Sequence, residues 1–344
     1  MEGRTRVTDS ISPPGSKLGM PAEDIVIMRA IYEEMCAAAP EARAVFAAMV
    51  ADKRRKAFVG IVDPPSGEAA GMAATLSREG IIDLGVLVDA ERVARMFAHL
   101  RPAPLYAGHT VEHSDGVPRD FEEVRRTSHY GCYSRDHILR CPHLIEIAND
   151  VRLLQVAECY LGCPPTIYSI NAWWSFPRSQ TAARYSQSLH RDLEELRFLT
   201  MFIYLTPVDD KNGPHRFIRH SHSKAALTDA LVKRGMQQSA VAALIKPLFV
   251  GTGYDQSAQA DALLGHLATI WKGPAGAAIL ADTYGLHMGI PLVEGDRLML
   301  WVRYGLGPNC SSFGGGDGRY ADMVASRIPQ TERARYVNRL LLTD

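Results

Sequence analysis

The run Leu199-Thr200-Met201-Phe202-Ile203-Tyr204-Leu205 constrains this chain more than any other stretch. It is apolar nearly throughout and rich in β-branched and aromatic side chains, so it suits a strand covered on both faces. Pro207 and the turn-forming Asp209-Asp210-Lys211-Asn212-Gly213 close it. Its neighbours are β as well. Ile167 to Phe176 is a β-branched and aromatic run that ends at Pro177, and Arg216-Phe217-Ile218 continues beyond the turn. Gly276 to Leu280 forms another strand, and Arg297 to Tyr304 alternates as the last one. From Pro165 onward the chain must therefore build layered sheet.

The segments around this β region have other patterns. Residues 1–20 hold Ser10, Ser12, Pro13, Pro14 and Gly15 with few large apolar groups, the composition of a mobile arm. Residues 21–70 are expected to form N-terminal helices, with Ile31, Tyr32 and Met35 and then Phe46, Met49 and Val50 at helical spacing. Residues 71–344 are expected to form the main domain. Asp63-Pro64-Pro65-Ser66-Gly67 reads as a loop within 59–71, and Leu76 to Gly85 reads as a strand between glycine turns. Asp89 can cap a helix with Glu91 in its first turn. Residues 101–137 are polar and irregular. A helical stretch opens at Cys141-Pro142-His143 and runs to Leu161. Residues 223–270 are Ala/Leu-rich and read as a helical insertion into the β region. The tail holds Gly314-Gly315-Gly316 and a helix from Thr331 to Leu342.

Charge and cysteine content narrow the function. Of 344 residues, Lys+Arg and Asp+Glu number 38 each. A zero net charge argues against bulk nucleic-acid binding or a polybasic membrane surface. No apolar run reaches membrane-span length, and no apolar core follows Arg4 and Arg6, so neither a span nor a secretory signal is expected. Six cysteines are too few for a disulfide scaffold at this size and suggest reduced thiols in the cytoplasm. Cys132, His137, Cys141 and His143, or Cys159 and Cys163, match no standard zinc spacing. They read as thiols and loop histidines.

The chemistry concentrates at Ser188-Leu189-His190-Arg191-Asp192. In an extended strand His190 and Asp192 project to one face. An imidazole beside a carboxylate supplies two thirds of the 2-His-1-carboxylate set that binds Fe(II) and leaves positions open. His287 is the candidate second histidine, coming from a distant strand. Arg297, ten residues later at the start of the closing strand, could hold a carboxylate bidentately if the two strands are antiparallel neighbours. Arg303 shares its face and is the competing anchor. Taken singly, His287 reads as a satisfied core histidine and Arg297 as a partner for Asp296 or Glu294. The order His-x-Asp, His, Arg along predicted strands is what carries the reading.

At these residues the chain resembles the phytanoyl-CoA dioxygenase-like family of Fe(II)/2-oxoglutarate-dependent oxygenases. The likeness covers roughly residues 75–304. It includes Arg78-Glu79-Gly80-Ile81-Ile82-Asp83-Leu84, Leu161-Gly162-Cys163-Pro164-Pro165 and Gln187-Ser188-Leu189-His190-Arg191-Asp192. It also includes Asn212-Gly213-Pro214-His215-Arg216-Phe217-Ile218-Arg219-His220-Ser221-His222, where Arg219-His220 replaces the family's usual Pro-Gly. The resemblance implies a mainly β fold with surrounding helices, a double-stranded β-helix (jelly roll, cupin-like). It implies Fe(II) on His190, Asp192 and His287, and 2-oxoglutarate with its distal carboxylate on Arg297. Gln187 and His215 fall where relatives contact the cosubstrate, while Gly289 stands where some relatives offer a hydroxyl. With Asp192 present, hydroxylation, desaturation or ring formation is implied instead of halogenation. Dioxygen is consumed, and succinate and CO2 are released.

Two other readings stay open. A cupin-type metal-dependent hydrolase or isomerase could use His215, His220 and His222, since His220 and His222 share the i,i+2 relation. A binding module could keep the fold without catalysis. Trp173, Trp174, Tyr185, Phe202 and Tyr204 are candidates for an apolar pocket, and Arg184 and Arg191 for an anionic group. Nothing marks a CoA site, so the expected substrate is a small organic molecule such as a natural-product intermediate. Oligomeric state is not legible.

Overall fold

A computed structural model describes residues 22–57, 66–178, 185–307 and 321–342. The expected arm at 1–20, the Asp63-Pro64-Pro65 loop, Arg184 and the Gly314–Gly316 loop lie outside the described residues.

Among the described residues, eleven strands make two antiparallel sheets. They are β1 (Ile81–Val86), β2 (Leu105–Ala107), β3 (Pro118–Arg119), β4 (Tyr130–Cys132), β5 (Thr166–Ser175), β6 (Phe198–Tyr204), β7 (His215–Ile218), β8 (Ala268–Trp271), β9 (Ala277–Ala281), β10 (His287–Gly289) and β11 (Arg297–Gly305). The larger sheet runs β1-β9-β6-β11-β5-β4-β2-β3, and the smaller runs β10-β7-β8. The central strands β5, β6, β9 and β11 are buried along their whole length. Alternation divides their side chains between two cores. From β6, Leu199, Met201 and Ile203 join Leu298, Leu300 and Val302 of β11 under a layer of helices that brings Leu76, Met96, Leu100, Leu144 and Leu154. Phe202 and Tyr204 point the other way, into a core shared with Phe217 and Trp271 of the smaller sheet. Burial on both faces is why these strands are predominantly apolar along their length.

Several boundaries differ from expectation, each for a local reason. Leu76 to Glu79 is the end of a helix, Gly67–Glu79, and not a strand. Ser66 caps its start by accepting from the Ala69 N–H, and Gly80 ends it in the left-handed region (φ 82°) with its N–H on Leu76 O. The glycine that looked like a strand's turn is thus a helix C-cap. This helix also spans the expected 70/71 boundary. Within the irregular stretch sits a helix, Phe121–Thr127, capped by Asp120, with Glu122 and Glu123 in its first turn and Arg125 and Arg126 in its last. The helical stretch after Cys141 is broken at Asn149-Asp150 into Leu144–Ala148 and Val151–Leu161. The tail helix is likewise two, Glu332–Val337 and Arg339–Leu342. The insertion holds helices Lys224–Val232, Gln238–Ile245 and Ser257–Leu264 but stops short of residue 268, where β8 begins pairing with β7. The Asp89 cap is as expected, accepting from the Arg92 N–H at 2.9 Å.

The N-terminal helices Ala22–Ala37 and Pro40–Ala57 dock beside the segment that follows Asp192. Tyr32 donates to the buried carboxylate of Glu195, and Arg43 donates to the carbonyls of Glu195 and Leu196. No helix among the described residues is long and apolar enough to cross a membrane.

Candidate metal and cosubstrate site

The His190-Asp192 segment is extended but belongs to no strand; it forms a single bridge with His287. Its backbone N–H groups alternate between two supports. His190 donates to His287 O and Asp192 to Thr283 O, at 3.0 and 2.9 Å. Leu189 donates to Ser257 Oγ and Arg191 to Thr252 O, at 3.0 and 2.7 Å, both in the insertion. The insertion therefore stands where a second strand neighbour would be. Arg191, fully buried on the opposite side from His190 and Asp192, reinforces this. Its guanidinium donates to the carbonyls of Leu248, Ser221 and Tyr284 and lies 4.1 Å from the Phe249 ring centre. It is a clamp and not an anion site, which corrects the use expected of this residue. Arg191→Met would strand three buried carbonyls at about 1–3 kcal/mol each. A loss of about 3 kcal/mol or more in urea unfolding is expected, and a change under 1 kcal/mol would refute the clamp.

The three candidate ligands converge. Among the described residues, the one set of three His, Cys, Asp or Glu side chains close enough to hold a metal is His190, Asp192 and His287, with ligand atoms within 4.8 Å of each other. His190 Nε2 lies 3.7 Å from Asp192 Oδ1 and His287 Nε2 lies 3.7 Å from Asp192 Oδ2. Atoms bonded at about 2.1 Å to one ion would be about 3–4 Å apart, so the spacing fits. The tautomers fit too. Each Nδ1 faces a backbone carbonyl, Ser188 O at 2.8 Å and Gly285 O at 2.9 Å, so it carries the proton and leaves Nε2 as the free donor atom. Burial lowers the pKa of both imidazoles, that of His287 to about 3, favouring the neutral form a metal requires. Burial opposes the charge on Asp192, but the Arg303 guanidinium beside it outweighs this and holds the carboxyl below the usual carboxylate range.

Arg297 and Arg303 both line the same cavity, of about 690 Å³, as the triad. With Met299 and Trp301 they form the inward face of β11, as alternation requires. Their partners differ. Arg303 donates to Asp192 Oδ2 at 2.8 Å and to Glu194, so its charge is matched twice. Arg297 is 3% exposed and donates to Gly213 O and, at 3.0 Å, to Ser175 Oγ, its register partner on β5. Its Nε has no partner, and no carboxylate among the described residues pairs with it. Asp296 instead pairs with Arg125, and Glu294 with Lys211. Burial lowers the Arg297 pKa. One expectation fails: His287 and Arg297 are not on neighbouring strands, since β10 pairs with β7 and β11 with β5 and β6. Arg297 instead meets β10 from the other sheet. A Cβ at Gly289 would lie 3.3 Å from its Nη2, so glycine leaves the guanidinium its place.

The remaining expected residues divide. His215 lines the cavity with its ring 5.6 Å from that of His287, and its buried Nε2 has no partner. Burial, then His287 and Arg297, keeps it neutral. Gln187 is buried in the turn Tyr185–Gln187, whose cavity-lining member is Ser186. The His215/His220/His222 set does not assemble. His220 Nδ1 donates to Arg78 O at 2.7 Å, His222 bonds Ser77 O, and both sit against the end of helix Gly67–Glu79. His220 adopts φ 68° at the corner where relatives were expected to have glycine. Trp173 and Phe202 line the cavity, whereas Trp174 faces the helices and Tyr204 stacks on Trp271. Cys132, Cys141, Cys159 and Cys163 are free thiols. Residues not singled out in the sequence also shape the site: Ser175, Glu194, His109 and Tyr254. Register on β5 and spacing after Asp192 could have pointed to the first two. Tyr254, stacked 5.0 Å over the His190 ring from within the insertion, had no signal.

No family model matches the chain, and no curated protein matches it. Solved structures similar to it include the non-haem α-ketoglutarate-dependent epimerase SnoN from nogalamycin biosynthesis, at 16% identity over 70% of this chain and 81% of that one, with a TM-score of 0.44. EctD from S. alaskensis with 2-oxoglutarate and 5-hydroxyectoine is 19% identical over 72% and 82%, with a TM-score of 0.46. HygX from Streptomyces hygroscopicus with nickel and 2-oxoglutarate bound is 15% identical over 68% and 86%, with a TM-score of 0.43.

Proposed function

We propose that this chain is a non-haem Fe(II)/2-oxoglutarate-dependent dioxygenase on a double-stranded β-helix, oxidising a small organic substrate, most simply by hydroxylation. The observation that carries the reading is the pairing of two features in one cavity. A His-Asp-His set has both Nε2 atoms unprotonated and facing one carboxylate. A buried guanidinium nearby has no carboxylate of its own. A buried, unmatched cation is costly, and a dicarboxylate that also chelates the metal would match it.

His190, Asp192 and His287 would hold the iron, and three ligands on one side leave positions open. When bound, the iron with 2-oxoglutarate and dioxygen supplies the oxidative decarboxylation to succinate and CO2 that drives oxidation of the substrate. Arg297 would fix the distal carboxylate, with Ser175 and Gly213 fixing Arg297. Arg303 holds Asp192 ionised and oriented. His215, neutral and unpartnered at Nε2, would pack against the cosubstrate. We keep Gln187 as a further cosubstrate contact on the resemblance alone. Trp173, Phe202 and Trp301 exclude water from the reacting face.

The test is Fe(II)-dependent succinate formation from 2-oxoglutarate, screened for stimulation by small organic compounds. Chelator should remove it, Fe(II) should restore it and Zn(II) should inhibit. Succinate release that ignores chelator, or none with any compound and no iron binding, would sink the proposal.

A further inference from the structure

The cavity contains a continuous aromatic wall that the metal and cosubstrate roles do not use. Trp173 and Trp301 meet edge to face at 4.6 Å, and Phe202 flanks Trp301 at 6.4 Å. The imidazole of His109 packs against this wall, 4.9 Å from Trp173, 5.5 Å from Trp301 and 5.2 Å from Tyr130. All of these side chains line the cavity. The His109 backbone is fastened, since its carbonyl accepts from Asn171 Nδ2 and the Gly108 N–H donates to Tyr130 O. Its ring is not: among the described residues no hydrogen bond reaches either ring nitrogen. Burial, then Arg303, pushes its pKa down to about 3, so it stands neutral with one donor and one acceptor nitrogen.

Charge on the substrate side is already matched. Asp192 and Glu194 both bind Arg303. The guanidinium of Arg303 also lies 4.1 Å from the Trp301 ring centre, so the cation–π face there is occupied. A cationic substrate at Trp301 would meet the like charge of the Arg303 guanidinium. An anionic one would compete with the cosubstrate for Arg297.

We propose that the cavity takes an uncharged, flat, unsaturated substrate that lies against Trp173 and Trp301 and is read through a hydroxyl or carbonyl oxygen by the ring of His109. This names a substrate class for the dioxygenase site and rests on that reading. Aromatic walls favour flat π-systems by offset and edge contacts that a saturated ring of the same size does not make. The His109 imidazole is half-buried, and a ligand that covered it without offering it an oxygen would strip its nitrogens of water without replacement, so the site selects against such a ligand.

The probe pair is 2-naphthol and its saturated counterpart 2-decalol, titrated calorimetrically against the full chain under argon, with and without Fe(II) and 2-oxoglutarate. 2-Naphthol should bind, with 2-decalol roughly 10-fold weaker or more. His109→Leu should weaken 2-naphthol by roughly 3- to 10-fold and leave 2-oxoglutarate affinity unchanged, which also shows that the variant is folded. His109→Asn, which restores a donor and an acceptor, should recover part of the loss. No binding of 2-naphthol, equal binding of 2-decalol, or an unaltered His109→Leu would each overturn the proposal. Naphthol binding with these dependences in a protein that binds neither iron nor 2-oxoglutarate would overturn the dioxygenase reading alone.

Discussion

Arg297→Ala is expected to weaken 2-oxoglutarate binding by about 10- to 1000-fold or more while leaving Fe(II) affinity nearly unchanged. The range follows from what the side chain does. A charge-assisted bidentate pair contributes roughly 1.5–3 kcal/mol, and removing one member of a buried pair costs about 3–5 kcal/mol, each 1.4 kcal/mol being tenfold. Arg297 is buried, is aimed by Ser175 Oγ and the Gly213 carbonyl, and touches none of the three candidate ligands by any ion pair. Arg297→Lys should recover part of the loss, because an ammonium keeps the attraction without the planar fork. Arg303→Ala provides the contrast. Its partners are Asp192 and Glu194, so its loss brings two carboxylates together unshielded and should disturb the metal before the cosubstrate. Anaerobic titration of each variant with 2-oxoglutarate in the presence of Fe(II) separates these outcomes. If Arg303→Ala carries the cosubstrate defect and Arg297→Ala does not, the anchor is misassigned by six residues. If neither does, 2-oxoglutarate is not the cosubstrate.

What the sequence made legible is what burial and local geometry encode. β6 and β11 were readable because helices cover one face and the inter-sheet core the other, so apolar residues dominate both faces of each strand. Arg297, Met299, Trp301 and Arg303 share a face because period-two alternation is a property of the backbone. The Asp89 cap was equally local. What was not legible depends on distant parts of the chain. Gly80 supports a turn or a helix C-cap equally well, and only the helix before it decides. His287 and Arg297 are ten residues apart, but nothing local says that the chain changes sheet between them. His215, His220 and His222 looked like a cluster because they are near in sequence. The strand β7 ends before His220, and the chain then turns away toward Ser77 and Glu79. Arg191 looked like a substrate contact, being flanked by two candidate ligands. Its alternation in fact points it away from the site, where it ties the Leu248 carbonyl of the insertion to those of Ser221 and Tyr284. The support of this segment from Thr252 and Ser257, which accept from the Arg191 and Leu189 N–H groups, comes from more than sixty positions along the chain and leaves no local trace.

His190→Ala and His287→Ala should each reduce turnover below detection and lower Fe(II) affinity by more than about 100-fold, since even outer-shell partners of a metal site are worth 10- to 100-fold. Each removes one of three donor atoms from a site with no fourth His, Cys, Asp or Glu among the described residues close enough to substitute. His215→Ala is the control, being near His287 by ring contact but outside the converging set, and should keep its iron. Asp192 discriminates further. Asp192→Glu keeps the charge but moves it by one methylene, against an Arg303 already fixed by Glu194, so iron should bind less tightly and turnover should fall sharply. Asp192→Gly leaves two imidazoles and an arginine whose charge is matched only by Glu194. Native oxidation should be lost, and chlorination should not replace it, because halogenation also needs a substrate held away from the hydroxyl rebound path. Calorimetric Fe(II) titration under argon, run beside succinate release on the same preparations, reads both effects. Wild-type turnover in either histidine variant would remove that residue from the ligand set, and wild-type turnover in Asp192→Gly would mean that the carboxylate serves Arg303 and not the metal.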